Sequence, residues 1–164
     1  TVLGFPVVPA AEFPAQYLAL VTIGVNLQRR KVFEGMTHDH MDALVSSRAY
    51  VGHLSRIGKG TTVGYGVYVG PEAEVGENTI LNTGCIVEHE VRIGSHNHIA
   101  PNVTICGRTS IGDLVMIGAG ATVIDGIKIA SSVIVGAGAT VVSDITESGI
   151  YVGTPARRIA PVPG

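Results

Sequence analysis

The chain of 164 residues has no tryptophan, only 5% aromatic residues and only 15% charged residues, but it has 22 glycines. A core without large aromatic side chains must be built from aliphatic side chains and tight turns, which suits a repetitive β architecture. The formal net charge is -2 and no long run of Lys or Arg occurs. This charge balance gives no electrostatic reason to expect a nucleic-acid partner.

Long apolar segments are also missing. The longest apolar run, around Tyr17 to Val25, is too short to span a bilayer, and no signal sequence opens the chain. Cys85 and Cys106 are two thiols that fit a reducing compartment, and we expect both to be small buried side chains. We therefore expect a cytoplasmic protein with no membrane contact.

An aliphatic residue recurs at every sixth position. Glycine often follows it, and the fifth position of each hexapeptide is small or β-branched nearly throughout. A hexapeptide period predicts a parallel β-helix, in which three hexapeptides form one triangular coil and residues eighteen apart stack about 4.8 Å from each other. The repeat predicts between five and six coils. The seventeen aliphatic positions are Val45, Val51, Ile57, Val63, Val69, Val75, Leu81, Val87, Ile93, Ile99, Ile105, Ile111, Ile117, Val123, Ile129, Val135 and Val141.

The segments on either side of the repeat (residues 45–146) lack the hexapeptide period. Within residues 1–44, the pattern predicts an apolar strand from Tyr17 to Ile23, then a turn, then a short basic helix from Leu27 to Gly35. These elements are a fragment of an α/β unit. Residues 147–164 contain three prolines, so we expect an extended or turn-rich tail that does not continue the coil.

Three motifs resemble one family. The stretches Leu81-Asn-Thr-Gly-Cys-Ile-Val-Glu-His89-Glu90 and Ile93-Gly-Ser-His-Asn-His98 resemble the active-site coil of bacterial sugar acetyltransferases, typified by sialic acid O-acetyltransferases and UDP-4-amino-sugar N-acetyltransferases. The tail Gly153-Thr-Pro-Ala-Arg-Arg-Ile159 is similar to the closing motif of that superfamily. The resemblance implies a left-handed β-helix, acetyl-CoA as co-substrate, no metal, and an amino or hydroxyl group of a sugar, preferably nucleotide-linked, as acceptor in bacterial glycan biosynthesis.

The resemblance extends to the segment from Ile23 to Arg30. Family members usually begin with a strand, a glycine-rich turn and a helix that hold the nucleotide of the sugar, whereas this chain begins at Thr1-Val-Leu-Gly4. We therefore expect a small, apparently incomplete α/β segment. The resemblance assigns Gly24 and Asn82 to acceptor binding.

The Glu-His-Glu element provides the candidate base. Transfer of an acetyl group from a thioester requires removal of a proton from the acceptor, and histidine suits that task near neutral pH. His89 occupies the third position of its hexapeptide, which points away from the apolar interior, and we predict that it is the general base of a direct transfer. The resemblance gives Glu90 the role of orienting the imidazole. A solvated surface histidine is the alternative.

Stacking adds a third candidate. The residue eighteen positions after His89 is Gly107, whose backbone N–H can stabilise the thioester oxyanion. A glycine that only eases a tight corner is the alternative. His96 matches no position of the family and is expected to be a polar surface residue.

The acetyl-CoA contacts come from the resemblance, which assigns them to His98, Ala119 and Ala137. Pro101, Ala119 and Ala137 stack in one column of small residues, which leaves a shallow track for a pantetheine arm. Small residues that merely pack at a corner are the alternative.

Two other functions use the same fold. A γ-class carbonic anhydrase binds zinc through three histidines; His53 and His89 have its spacing, but Gly94 stands where the third ligand belongs. A non-catalytic scaffold subunit is the other alternative. We also expect a homotrimer, because a lone prism with aliphatic corners exposes more apolar surface than a monomer usually tolerates.

Overall fold

A computed structural model describes residues 19–36 and 41–163. As far as Val141, strands of two or three residues follow one another at intervals of about six residues and form three parallel sheets, one on each side of a triangular coil. Each strand pairs with the strand one coil away, so that His98 pairs with Met116 and Thr104 with Thr122, eighteen residues on. The predicted mainly β fold, a β-helix of hexapeptide repeats, is confirmed.

The strands are numbered in chain order. The first sheet contains β1 (Leu44–Val45), β4 (Thr62–Val63), β7 (Ile80–Leu81), β10 (His98–Ile99), β13 (Met116–Ile117), β16 (Val133–Val135), β18 (Gly149–Val152) and β19 (Arg157–Ala160). The second sheet contains β2 (Tyr50–Val51), β5 (Tyr68–Val69), β8 (Ile86–Val87), β11 (Thr104–Ile105), β14 (Thr122–Val123) and β17 (Thr140–Val141). The third sheet contains β3 (Arg56–Ile57), β6 (Glu74–Val75), β9 (Arg92–Ile93), β12 (Ser110–Ile111) and β15 (Lys128–Ile129).

The corners of the triangle are named here by the sheets they join. The first corner joins the first sheet to the second and includes Ala119. The second corner joins the second sheet to the third and includes His89. The third corner joins the third sheet to the first and includes His96.

The interior of the prism is aliphatic. The first and fifth positions of each hexapeptide point inward, so that residues such as Val69, Leu81 and Ile105 have no exposed surface. The third corner is an exception, because Thr61, Thr79 and Asn97 stack there and each accepts a hydrogen bond from the backbone one coil on, at 3.0, 3.2 and 2.6 Å. The fifth position thus tolerates buried polar side chains where backbone N–H groups of the next coil satisfy their hydrogen-bonding capacity. Cys85 is buried, as expected, and burial raises the pKa of its thiol to about 12. Cys106 is only half-buried, which corrects the expectation.

The fourth position of the hexapeptide makes the turn. Backbone φ is positive there at nine residues other than glycine, including Glu90 at 58° and Arg108 at 55°. This left-handed conformation costs a non-glycine residue free energy, and glycine takes the same position at Gly66 and Gly84.

Helix α1 (Asn26–Glu34) begins one residue before the predicted helix and ends before Gly35. Residues 19–23 form no strand in the described part of the chain, which corrects the expected strand there; Tyr17 and Leu18 lie outside the described residues. The buried side chains of α1 are Arg29 and Phe33, one turn apart on the face toward the β-helix.

Arg29 docks α1 on the third corner. Its guanidinium donates to the carbonyl oxygens of Asn78, His96 and Asn97 at 3.0, 2.8 and 2.9 Å, and to that of Ile23 at 2.9 Å. Burial without an ion pair among the described residues lowers the pKa of Arg29 to about 10. The cation stays charged at neutral pH and is stabilised by carbonyl dipoles.

The end of the chain also differs from the expectation. β18 (Gly149–Val152) continues the first sheet by parallel pairing with β16, and β19 (Arg157–Ala160) returns antiparallel to β18. The coil therefore extends past residue 146, because the three prolines of the tail all follow β18.

Candidate functional site

His89 and Glu90 form a hydrogen-bonded pair on the second corner, directly after β8. His89 Nδ1 lies 3.0 Å from Glu90 Oε2, and the two side chains are 45% and 51% exposed. Because the carboxylate accepts the Nδ1 proton, Nε2 of the neutral imidazole carries a lone pair. The predicted pair thus has the geometry of a base held by a carboxylate.

Gly107 lies against the imidazole, as the eighteen-residue spacing predicts. A Cβ on Gly107 would stand 2.7 Å from both Cε1 and Nε2 of His89, so only glycine leaves room for the ring there. The backbone N–H of Gly107 makes no hydrogen bond within the described residues, because third positions stay outside the sheet ladders. Gly107 therefore lies against the imidazole, and its backbone N–H is an unused donor within the described residues.

A second group of predicted residues surrounds His98 on β10. His98 Nδ1 lies 3.3 Å from the carbonyl oxygen of Gly24, and His98 Nε2 lies 3.4 Å from Asn82 Nδ2. With Nδ1–H donating to Gly24, Nε2 is an acceptor. Desolvation lowers the pKa of His98, so the ring is neutral at neutral pH.

A cavity of about 620 Å³ opens beside this group. It lies between the segment leading into α1, the first sheet and the C-terminal tail, and its lining is uncharged. The lining residues are Ile23, Gly24, Val25, Asn26, Leu27, His98, Leu114, Met116, Ser132, Ile134, Val162 and Pro163. Such a lining suits the apolar part of a ligand better than a phosphate.

Ala119 and Ala137 stack on the first corner, where Gly138 N–H donates to Ala119 O at 2.9 Å. Both alanines are exposed, and a Cβ on Gly118 would stand 2.5 Å from the Ala137 nitrogen. The coils are therefore closely stacked here. The track for a pantetheine arm stays a prediction.

The predicted residues therefore form two groups. His89, Glu90 and Gly107 lie on the second corner, whereas His98, Asn82 and the alanine column lie on the first sheet and the first corner. No contact in the described part of the chain joins the two groups. The second sheet separates them within one prism.

Sequence reasoning missed two charged residues. Asp125 lies one coil beyond Gly107, and its carboxylate accepts a 2.6 Å hydrogen bond from Arg108. The eighteen-residue spacing that found Gly107 also points to Asp125. Arg29, which donates to Ile23 O and so supports the segment that carries Gly24, had no such signal because α1 lies outside the repeat.

Two further features bear on the alternative functions: a metal site, which a carbonic anhydrase would need, and a helix able to span a membrane. Among residues 19–36 and 41–163, no three His, Cys, Asp or Glu side chains converge on a point that would suit a metal ion. In the same residues, no helix has the length and apolarity needed to cross a bilayer.

The coil of hexapeptide repeats is the fold of hexapeptide-repeat transferases. A family model for the bacterial transferase hexapeptide (six repeats) matches residues 72–107, which include His89 and Gly107. Among curated proteins, no sequence matches the chain.

Solved structures are closely similar. The acetyltransferase domain of PglB from Neisseria gonorrhoeae has a TM-score of 0.90 and 29% identity over 97% of this chain and 82% of that chain. GDP-perosamine N-acetyltransferase from Caulobacter crescentus has a TM-score of 0.84 and 33% identity over 88% of this chain and 70% of that chain. WeeI from Acinetobacter baumannii has a TM-score of 0.87 and 26% identity over 97% of this chain and 80% of that chain.

The chain belongs to this family of sugar acetyltransferases, as the resemblance predicted, and it is an enzyme rather than a scaffold. The expected acetyl-CoA co-substrate is confirmed for the family, because the PglB domain was solved with acetyl coenzyme A and the Caulobacter enzyme with CoA and GDP-perosamine.

Proposed function

We propose that the protein transfers the acetyl group of acetyl-CoA directly to the amino group of a nucleotide-linked sugar, with His89 as the general base. The observation that carries the proposal is the position of His89. Its Nε2 has a free lone pair, its Nδ1–H is held by Glu90, and its ring lies against Gly107, whose N–H makes no hydrogen bond within the described residues.

The chemistry follows from these three groups. Nε2 takes a proton from the acceptor amine as its nitrogen attacks the thioester carbonyl carbon, and a C–N bond forms. The carbonyl oxygen gains negative charge, which the Gly107 N–H stabilises. When the C–S bond breaks, protonated His89 gives its proton to the departing thiolate and returns to the neutral form. Glu90 stabilises the intermediate imidazolium.

An amine is favoured over a hydroxyl because the similar Caulobacter enzyme is named as an N-acetyltransferase and contains GDP-perosamine. The cavity of about 620 Å³ near His98 is wide enough for part of a substrate. We assign Gly24 in this cavity to the acceptor, together with Asn82 outside its lining. We assign His98 to acetyl-CoA, together with Ala119 and Ala137 on the first corner.

The proposed active assembly is a homotrimer, because the two site groups lie at the two edges of the second sheet. The outward side chains of that sheet carry no charge: Tyr50, Tyr68, Ile86, Thr104, Thr122 and Thr140. Those of the third sheet include Arg56, Glu74, Arg92 and Lys128. An uncharged face is the one that another copy can cover at low desolvation cost. Packing of second sheets then brings His89 of one copy near His98 of the next.

The stacked rings of Tyr50 and Tyr68, 5.1 Å apart, support this assignment. Tyr50 is 55% exposed, and its ring contact within the described residues is with Tyr68, so a large apolar side chain is left for another copy to cover. A cytoplasmic location, where acetyl-CoA is available, stays a prediction.

His89→Ala tests the proposal. The imidazole is half exposed, so the change leaves no buried cavity, and the melting temperature should stay within about 2 °C of wild type. Turnover, followed as free thiol released from acetyl-CoA with UDP-, dTDP- and GDP-linked amino sugars and free sialic acid, should fall by about 10² to 10⁴. Acetyl-CoA should still bind in calorimetry.

His53→Ala is the matched control, since His53 has the same hexapeptide position in the same column, two coils earlier. It should keep wild-type turnover. A folded His89→Ala protein with full activity on an accepted sugar would refute the general base. Activity restricted to hydroxyl acceptors would refute the choice of an amine.

A further inference from the structure

Glu90 has an arginine close to it that it does not bind. Glu90 and Arg108 occupy the fourth positions of hexapeptides one coil apart, and both have a left-handed backbone. Their Cα atoms are therefore stacked at about 4.8 Å. An arginine at that distance ordinarily pairs with a carboxylate, often through two hydrogen bonds.

Arg108 binds Asp125 instead. Its Nη2 lies 2.6 Å from Asp125 Oδ2, and the two side chains are 56% and 52% exposed. Arg92, which lies two residues after Glu90, is held in the same way by Glu74 at 2.7 Å. Among the described residues, the Glu90 carboxylate accepts a hydrogen bond from His89 alone.

Asp125 lies in the same column of stacked residues as the proposed base, His89. His89, Gly107 and Asp125 are the third positions of three successive coils on the second corner. The point where a Cβ of Gly107 would lie is 2.7 Å from His89 Nε2 and 3.2 Å from Asp125 Oδ1. Since Gly107 has no side chain, the carboxylate and the imidazole both lie against it.

We propose that Asp125 is a positioning residue: by holding Arg108, it leaves the Glu90 carboxylate free to orient His89. The inference rests on the proposed role of His89 as base. A guanidinium forms a stronger pair with a carboxylate than an imidazole does, so an unheld Arg108 displaces His89 from Glu90. The imidazole then loses its fixed tautomer and gains a cation nearby, which disfavours its protonated form.

The charged groups around His89 are consistent with this arrangement. Glu88 and Glu90 flank it in sequence, and Arg108 and Asp125 lie on the following two coils. The half-buried thiol of Cys106 is also on this corner, and its pKa is raised by desolvation and by the charges of Glu88 and Asp125. Asp125 therefore contributes to the negative potential of this corner, while Arg108 and the nearby Arg92 contribute positive charge.

Asp125→Asn tests the proposal through the pH profile of kcat/KM for the acceptor. We expect kcat to fall about five- to tenfold, a part of the general-base contribution. The acidic limb of the profile should shift to lower pH, because a freed Arg108 cation disfavours protonation of the base. The KM for acetyl-CoA should change less than twofold.

The double variant Asp125→Asn/Arg108→Gln separates positioning from a general effect of charge. It removes the competing guanidinium together with its partner, so most of the lost kcat should return. Asp125→Glu keeps the carboxylate and should also retain most of the activity. Asp113→Asn is the matched control, since Asp113 has the same hexapeptide position on the third corner, and it should leave kcat and the profile unchanged.

Three outcomes would overturn the proposal. One is an Asp125→Asn protein with wild-type kcat and profile. Another is a double variant no more active than Asp125→Asn. The last is an Arg108→Gln protein with a raised acceptor KM and unchanged kcat, which would make Arg108 a ligand for an anionic group of the acceptor. If Asp125→Asn does not fold, Asp125→Ala serves in both comparisons. His89→Ala distinguishes the failures, because it tests the base itself.

Discussion

A Cβ on Gly107 would stand 2.7 Å from Nε2 of His89, one coil away. Real Cβ atoms do not approach a ring this closely, so any side chain at residue 107 displaces the imidazole or the turn. The position of the proposed base, His89, therefore depends on glycine at residue 107.

Gly107→Ala should therefore lower kcat by about 10² while the protein stays folded, because the displaced ring is half exposed and has room to move. Initial rates at saturating acetyl-CoA and acceptor measure kcat, and thermal unfolding shows whether the variant is folded. Gly35→Ala is a suitable control, since the nearest atoms to its added Cβ are 3.5 Å away. Unchanged kcat in Gly107→Ala would mean that His89 does not need its present place.

Glu90→Gly should separate activity from stability. Glycine at a left-handed position relieves strain of about 1–2 kcal/mol, which offsets an entropic cost of about 0.5–1 kcal/mol in the unfolded chain. The melting temperature should stay level or rise, while kcat falls about tenfold because His89 loses the carboxylate that orients it. Glu72→Gly makes the same backbone change one coil earlier, where φ is 60°, and should keep kcat. If Glu90→Gly loses stability and Glu72→Gly does not, the hydrogen bond between His89 and Glu90 stabilises the fold, and the proposed orienting role of Glu90 is contradicted.

Co-expression of His89→Ala and His98→Ala subunits tests whether neighbouring copies share the site. Each variant alone should be nearly inactive. If His89 of one copy works with His98 of the next, random assembly restores about a quarter of the sites. If both histidines act within one chain, the mixture should be no more active than the separate variants. Sedimentation of the wild-type protein as a monomer at micromolar concentration would contradict the trimer itself.

Stability should fall in acid because of two histidines near α1. Burial lowers the pKa of His96 and of His98 below the ordinary value of 6.5. The unfolded chain therefore binds protons at a higher pH than the folded one, so stability is present above about pH 6.5 and is lost as the pH falls further. Urea unfolding at pH 8 and pH 5 measures the difference.

His96→Asn should reduce that difference, since asparagine tolerates the φ of 61° at this residue and does not titrate. His96 packs edge-on against Phe33 of α1 at 5.8 Å, so the acid effect should be greatest for the docking of α1. Equal acid sensitivity in the variant would assign the effect to other groups.

The sequence alone was enough to predict the coil and part of the site. Seventeen aliphatic residues at a spacing of six predict a triangular prism with eighteen residues per coil. In such a prism, residues eighteen positions apart in the sequence are stacked on adjacent coils. This spacing predicted that Gly107 lies next to His89, and it also places Asp125 next to Gly107. A hydrogen bond between adjacent residues, as in His89 and Glu90, needs little more than the corner turn.

Tertiary structure decided what periodicity leaves open. Arg108 has two carboxylates within reach, Glu90 and Asp125, and the choice between them depends on side-chain geometry rather than on spacing. His98 meets Gly24 only because α1 docks through the buried Arg29, and that segment lies outside the repeat. β18 continues the coil although its sequence departs from the pattern, because backbone pairing with β16 requires no particular side chain.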